Sequence, residues 1–323
     1  MNPAISVIVP IYNVSRFIGR CAESLMQQTF RDAEFIFVND ATPDDSVSIL
    51  ESVLAKYPER AVRLVSHERN QGLPASRKTG MKYAQGRFIY HCDGDDRVEP
   101  DLLEKMYKAA MDNGADYVYC DFFLTFGENE RYMHNPAYGT PDEMLRKGFL
   151  SGACKYNYWN KLAARELYEG VVFPVDHRKG GEDMVMIGIL SRARAVAYVP
   201  EALYHYVKTN TGAISESFSE QRLTDIKHNA DTAISLLSDY DGDLTKEIAL
   251  FKLNVKLPFL ISNDKRRYKV WKEWYPEANG YAFANTELPF RTKFLQWCAA
   301  HNLWLFVRLY YRIFKFRYGV LYK

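Results

Sequence analysis

Three short clusters in this 323-residue chain carry residue types suited to chemistry. Asp93-Gly94-Asp95-Asp96 places three carboxylates within four residues. Like charges this close repel unless a cation offsets them, and hard oxygen ligands suit Mg²⁺ or Mn²⁺, ions that in turn clamp a diphosphate. An acidic turn capping the next helix would use the same residues. The loop is no EF-hand, because Val98 stands where such a loop needs its glycine. Gly180-Gly181-Glu182-Asp183 opens a helix, where acids in the first turn complement the helix dipole. Tyr204-His205-Tyr206 alternates like a strand, and a lone His there is ordinarily a satisfied core or surface residue. Taken singly, none of these clusters selects an activity.

Several activities are excluded. Gly72-Leu-Pro-Ala-Ser-Arg77-Lys78-Thr79 approaches a phosphate-binding Walker A loop. Arg77 replaces its second glycine and Pro74 restricts the backbone that would wrap the phosphate, so a nucleotide hydrolase of that type is rejected. No G-x-G-x-x-G, H-E-x-x-H or G-x-S-x-G occurs. The cysteines Cys21, Cys92, Cys120, Cys154 and Cys298 are scattered and form no C-x-x-C pair. That argues against a disulfide framework or a zinc site and for reduced thiols.

The elements that must position the clusters alternate. Ile5–Pro10, Phe35–Val38, Val62–Val65 and Phe88–Tyr90 are short apolar, β-branched or aromatic runs. Helical spacing separates them, over 16–29, through Val47, Leu50 and Leu54, and over 74–84. Strands alternating with helices of this length predict a mostly parallel sheet in an α/β fold. Polar residues follow each strand end: Tyr12 and Asn13, then Asp40, then Asn70, then Asp93 and Asp95. Open α/β sheets bind ligands outside the carboxyl ends of their strands, so this edge is the expected site. Further on, the pattern predicts a helix over 100–113, a strand at 117–120, a hairpin over 122–132, a helix from Glu182 to about Arg194, and short strands at 195–199 and 203–207. From 219 onward it turns helical.

Charge is distributed unevenly. The chain has 42 Lys and Arg against 40 Asp and Glu, but every acid lies at or before Glu287 while seven bases lie beyond it. A mildly acidic body therefore carries a basic, aromatic tail, and 47% hydrophobic residues place the whole among globular proteins. No stretch approaches 18 uninterrupted apolar residues, and the N-terminus is expected to carry no secretory leader.

In order, Ile5–Pro10 with Tyr12-Asn13, Val38-Asn39-Asp40, Asn70-x-Gly72 with Arg77, Asp93-Gly-Asp-Asp96, Glu182-Asp183 and Tyr204-His205-Tyr206 resemble the inverting family 2 glycosyltransferases that build bacterial surface polysaccharide and lipopolysaccharide. The resemblance covers residues 1 to about 215. It implies a GT-A fold, Rossmann-like with a mostly parallel sheet flanked by helices, over 1–215, and a helical region over 216–323. It also implies a UDP-sugar donor, a glycan or lipid-linked acceptor and a divalent cation, Mn²⁺ or Mg²⁺. Residue by residue, Pro10, Tyr12, Asn13 and Asn70 would line the nucleotide, and Asp40 would accept the uracil N3–H. Arg77 would meet the diphosphate, and Asp93 would hold the ribose or the metal's water shell. Asp95 would ligate the metal, His205 would contact the diphosphate or the metal, and Asp183 would be the general base. The glycine pair at 180–181 would let an acceptor loop move.

The tail from about 290 to 317 puts Arg308, Arg312 and Lys315 on one helical face and Leu303, Phe306, Val307, Tyr310, Ile313 and Phe314 on the other. That pattern reads as a membrane-surface anchor, placing the protein in the cytoplasm on the inner face of the bacterial membrane. Packing on the protein or a homodimer contact would use the same face. Competing functions are a sugar nucleotidyltransferase, which would want a glycine-rich basic loop where Val9-Pro-Ile-Tyr-Asn13 stands, and a non-catalytic membrane-attached scaffold. Nucleic acid is not an expected partner, since the body is net negative.

Overall fold

A computed structural model describes residues 2–171, 173–174, 181–208 and 219–321, with side chains up to Phe316. The chain divides into two compact units, residues 1–141 with 156–237 and residues 142–155 with 238–323. The first extends past the expected boundary at 215 because α7 (Glu220–Ser235) packs on α6 (Glu182–Leu190). The second takes in a segment from the middle of the sequence, as Asn254 Nδ2 donates to the Leu150 carbonyl at 3.1 Å and Asn285 Nδ2 to that of Ser151 at 2.9 Å.

Unit 1 begins with β1 (Ile5–Ile11), α1 (Ile18–Met26), β2 (Ala33–Asn39), α2 (Ser46–Leu54), β3 (Ala61–Ser66), α3 (Leu73–Tyr83) and β4 (Phe88–His91). It continues through β5 (Arg97–Val98), α4 (Leu102–Asp112), β6 (Tyr117–Phe126), β7 (Asn129–Met133), β8 (Lys161–Ala164), α6 and β9 (Val196–Val207), while the last two residues of the short α5 (Pro141–Glu143) already belong to unit 2. Among the described residues one nine-stranded sheet forms, in the order β3-β2-β1-β4-β8-β6-β9-β5, with β7 on β6. The first four strands are parallel, β8 runs antiparallel to β4 and β6, and β9 is parallel to β6.

Every residue of β1 is buried, as a central parallel strand with both faces covered requires. At the edge, β3 alternates between half-buried and exposed. The chain steps outward from β1 to β2 and β3, then returns to the other side of β1 as β4. That reversal is the topological switch point, at the carboxyl ends of β1 and β4, where open sheets of this kind bind ligands. The apolar run at 117–120 and the first arm of the expected hairpin are one ten-residue strand, and the two strands expected over 195–207 are one strand with a register shift opposite Cys120–Phe122.

Unit 2 contains a π-helical segment (Met144–Leu150), α8 (Thr245–Lys256), α9 (Lys265–Glu273), a 3-10 stretch (Pro276–Ala284), α10 (Phe290–Ala300) and α11 (Trp304–Leu321). Its core holds a buried Lys256, whose Nζ donates to the Trp274 and Tyr275 carbonyls and to Asn279 Oδ1, at 2.8, 3.2 and 2.6 Å. The same ammonium lies 4.2 Å from the Trp271 ring centroid. Burial lowers its pKa to about 8.

The return to β4 needs a close approach. A Cβ on Gly86 would lie 2.4 Å from the Ser6 amide nitrogen and 2.7 Å from the Ile5 carbonyl carbon. Backbone cannot give way as a side chain end can. Gly86→Ala is expected to destabilise the protein by roughly 2 kcal/mol, read as a lowered melting temperature. Gly280→Ala, whose new methyl meets nothing within 4 Å, should leave it nearly unchanged.

Candidate active site

The polar residues expected along the strand ends do gather at the switch-point edge. The loop after β1 is tied to the loop after β2: the Asn13 amide donates to Thr42 Oγ1 at 2.9 Å, the Val14 amide to Ser46 Oγ at 3.1 Å, and the Ser15 amide to Asp44 Oδ2 at 2.9 Å. Burial alone would raise the Asp44 pKa, but hydrogen bonds from Ser46, Thr42 and Ser15 outweigh it and hold the carboxyl far below the usual range. Asn13 and Ala41 take left-handed conformations, with φ of 54° and 53°. Asn tolerates that region, whereas Ala is strained there. Pro10 is buried at the end of β1, and Tyr12 just beyond it is exposed.

Asp40 is buried and already engaged. Its Oδ1 accepts from the Gln71 amide at 2.8 Å and faces His67 Nδ1 at 2.7 Å, while Oδ2 accepts from the Gly72 amide at 2.7 Å. His67 Nε2 reaches Thr79 Oγ1 at 2.9 Å, and Asn70 Nδ2 donates to the Asp40 carbonyl at 3.4 Å. Asp40 therefore anchors the loop that leads into α3, where Gly72 needs its φ of 89°. Of the roughly four acceptor positions on a carboxylate, three are filled. His67 was not foreseen. A single His three residues before Asn70 gives no signal in the sequence, and only the fold brings it to Asp40.

Arg77 departs from expectation. It was placed against the diphosphate, but it is only 3% exposed and points across the site from α3. Nη2 donates to Asp93 Oδ1 at 2.7 Å and Nη1 to Glu182 Oε1 at 3.5 Å, and the guanidinium lies 4.2 Å from the centroid of the Tyr158 ring. Burial would lower its pKa, but Asp93, Tyr158 and Glu182 more than reverse this, so the group is a permanent cation. Beside it, His91 is buried without a hydrogen-bond partner among the described residues, and burial with the Arg77 charge keeps it neutral.

The acidic cluster divides by direction. Gly94 lets the turn lie against β1, since a Cβ there would come within 2.9 Å of the Pro10 carbonyl. Asp96 faces inward: Oδ2 accepts from the Tyr204 hydroxyl at 2.6 Å and Oδ1 from the Val207 amide at 2.7 Å. Burial, with Asp95 and Asp93 nearby, pushes its pKa well up. The Tyr204 oxygen in turn accepts from the Asp93 amide at 3.2 Å, and its ring stacks on Trp159 at 4.4 Å. Asp93 and Asp95 remain half-buried at the rim.

His205, expected as a metal ligand, is turned elsewhere. Its Nδ1 meets Glu130 Oε1 at 2.8 Å and its Nε2 meets Glu99 Oε1 at 2.6 Å, and the ring stacks on Phe123 at 4.8 Å. Alternation along β9 explains this. Tyr204 and Tyr206 share the face that carries Trp159, and the pleat sends the residue between them to the opposite face. Both ring nitrogens are thus taken.

Asp183 stands in the first turn of α6 beside Glu182, half-buried, with Oδ1 accepting from the Met184 amide at 2.9 Å. Burial raises its pKa to about 6 despite that hydrogen bond. Gly181 precedes the helix with φ of 89°, and a Cβ there would strike Pro174 at 2.3 Å. Its partner in the expected mobile pair, Gly180, lies outside the described residues.

Among the described residues no three His, Cys, Asp or Glu side chains come together as a ready-made metal cage. Arg77 occupies one oxygen of Asp93, while Asp96 and His205 point away. The half-buried Asp93 and Asp95 carboxylates at the rim suit a cation such as Mg²⁺, which keeps several waters and takes one or two carboxylates plus substrate phosphates. Removing Arg77 should disturb this site through Asp93 and Glu182. Arg77→Ala is expected to cost about 3 kcal/mol of stability, because a buried pair loses one partner. Arg77→Lys should recover only part, since an ammonium lacks the fork that spans both acids. Thermal melts check this, and an unchanged melting temperature for Arg77→Ala would contradict it.

The model of the family described as Glycosyl transferase family 2 matches residues 6–188, more than half of the chain. The uncharacterized glycosyltransferase EpsJ of Bacillus subtilis (strain 168) is 30% identical over 277 residues, covering 81% of this chain and 78% of that protein. S. aureus TarS, solved in complex with UDP-GlcNAc, is similar in structure with a TM-score of 0.71 at 18% identity, over 97% of this chain and 92% of the solved one. The mannosyltransferase PcManGT from Pyrobaculum calidifontis, solved with GDP-Man and Mn²⁺, gives 0.55 at 20% identity over 97% of this chain and 84% of the other. These structural likenesses establish a GT-A fold, and the sequence match establishes the rest: the chain belongs to glycosyl transferase family 2.

Proposed function

We propose that the chain transfers a sugar from a UDP-sugar donor to a hydroxyl of a glycan or lipid-linked acceptor in cell-surface polysaccharide synthesis. Transfer inverts the anomeric carbon and is assisted by Mn²⁺ or Mg²⁺. The observation that carries this reading is the connection through Arg77, which ties the strand-end Asp93 to the start of the helix bearing Asp183. TarS bound to UDP-GlcNAc and to UDP supports the choice of nucleotide, and PcManGT bound to Mn²⁺ supports the cation.

Pro10, Tyr12 and Asn13 line the base from the end of β1. Asp40 offers its one remaining acceptor position to the uracil N3–H, and Asn70 fixes the loop beside it. Asp95 and the second oxygen of Asp93 are the residues that would hold the cation. Bound there, the cation supplies Lewis-acid assistance to the departing nucleoside diphosphate. Asp183 removes the proton from the acceptor hydroxyl as its oxygen attacks the anomeric carbon on the face opposite the diphosphate. The new glycosidic C–O bond forms while the bond to the phosphate oxygen breaks, so the configuration inverts in one step. A carboxylate titrating near 6 serves, because the hydroxyl grows acidic as the bond forms.

UDP release from a panel of UDP-sugars with the full chain tests the reading. One donor should turn over with Mn²⁺ and fall silent with EDTA, and silence across the panel without UDP binding would sink it. Asp183→Asn should lower kcat by about 10²- to 10⁴-fold, the usual range for a lost general base, with nucleotide affinity nearly unchanged. Because the base acts deprotonated, kcat/KM should fall as pH drops through about 6. For stability the sign is opposite. A folded pKa raised from 3.8 to about 6 favours the fold below 3.8, and that share is lost as pH rises through 6. Asp183→Asn should therefore melt no lower than the wild type at pH 7.

A further inference from the structure

The C-terminal helix does not sit as its sequence pattern suggests. Val307 is buried, and Trp304, Tyr311 and Phe314 are half-buried, with Trp304 stacked on Tyr268 at 5.1 Å. These residues form the face that packs within unit 2. A second apolar stripe is left open: Leu305, Phe306, Leu309, Ile313 and Phe316, joined by Phe290 from α10, are each between 49% and 76% exposed. Phe294 of α10 approaches Phe306 with ring centroids 6.5 Å apart, and a groove of about 170 Å³ runs between the two helices. Open apolar stripes of this size on a soluble surface mark an interaction site.

The bases indicate the partner. Arg308, Arg312 and Lys315 are exposed and recur at i, i+4 and i+7, a stripe that 100° per residue places between the packed face and the open one. Arg291 and Lys293 lie in the first turn of α10. No acid occurs from 288 to 323, so the tail itself supplies the stripe with no counter-charge. A second copy docked on this stripe would set like charges against each other. An anionic lipid surface supplies both the negative charge that the bases attract and the apolar boundary that the exposed side chains need. Among the described residues no helix is long and apolar enough to cross a membrane, so the contact lies in the plane of the surface.

We propose that unit 2 docks on anionic membranes through this stripe, with the exposed Leu, Ile and Phe side chains entering the headgroup boundary and the flanking bases meeting lipid phosphates. Flotation of the full chain with vesicles, without sugar nucleotide, tests this separately from the donor reading. The chain should bind phosphatidylcholine vesicles containing about one-third phosphatidylglycerol, ignore pure phosphatidylcholine, and lose affinity as salt rises. Replacing Arg308, Arg312 and Lys315 together by Gln should weaken binding on the order of a hundredfold, from roughly fivefold per base. Leu309→Ser with Ile313→Ser should also weaken it, with donor turnover unchanged and the melting temperature little changed, since both side chains are about half exposed. Failure to bind anionic vesicles, or equal binding by the Gln variant, would overturn the proposal. So would a dimer by light scattering that Leu309→Ser with Ile313→Ser dissolves, because a second copy would then cover the stripe.

Discussion

A single buried guanidinium organises the site. Arg77 could not remain charged in the interior without partners, since an isolated buried charge costs several kcal/mol. Asp93 and Glu182 supply them from two directions. The consequence is geometric. The end of β4 and the start of α6, about ninety residues apart in sequence, are held to one cation, so Asp93 and the first turn of the helix that carries Asp183, the proposed base, cannot drift independently. The Tyr158 ring lies against the guanidinium, with its centroid 4.2 Å away.

Much of this edge was legible in the sequence. Alternating strands and helices gave the parallel half of the sheet, and polar residues after four successive strands gave the crevice, because a switch point needs only strand order and strand ends. What was not legible depends on side-chain direction. Arg77 has the residue type of a phosphate contact, but the pattern of α3 does not show whether it faces the crevice or the acids beneath. Asp93, Asp95 and Asp96 read alike in sequence, and only the fold turns Asp96 inward to Tyr204. His205 follows from the two-residue period of β9 once Tyr204 is placed, and its loss as a metal ligand is a matter of parity rather than chemistry.

The same limit applies to the tail. Helical spacing separated bases from apolar residues correctly, but it merged two apolar faces into one. Val307 and Phe314 belong to the packed side and Phe306 and Ile313 to the open side, a division visible only when the surrounding unit is known. Unit 2 is also discontinuous in sequence, since residues 142–155 join it by hydrogen bonds from Asn254 and Asn285. No composition shift marks that insertion.

The central claim is a single displacement with Asp183 as base, and the anomeric configuration of the first product tests it most directly. Turnover of the accepted UDP-sugar followed by proton NMR should show a product whose anomeric configuration is opposite to that of the donor before any mutarotation. A product that retains the donor's configuration would require two displacements or a different attacking face, and would contradict the account.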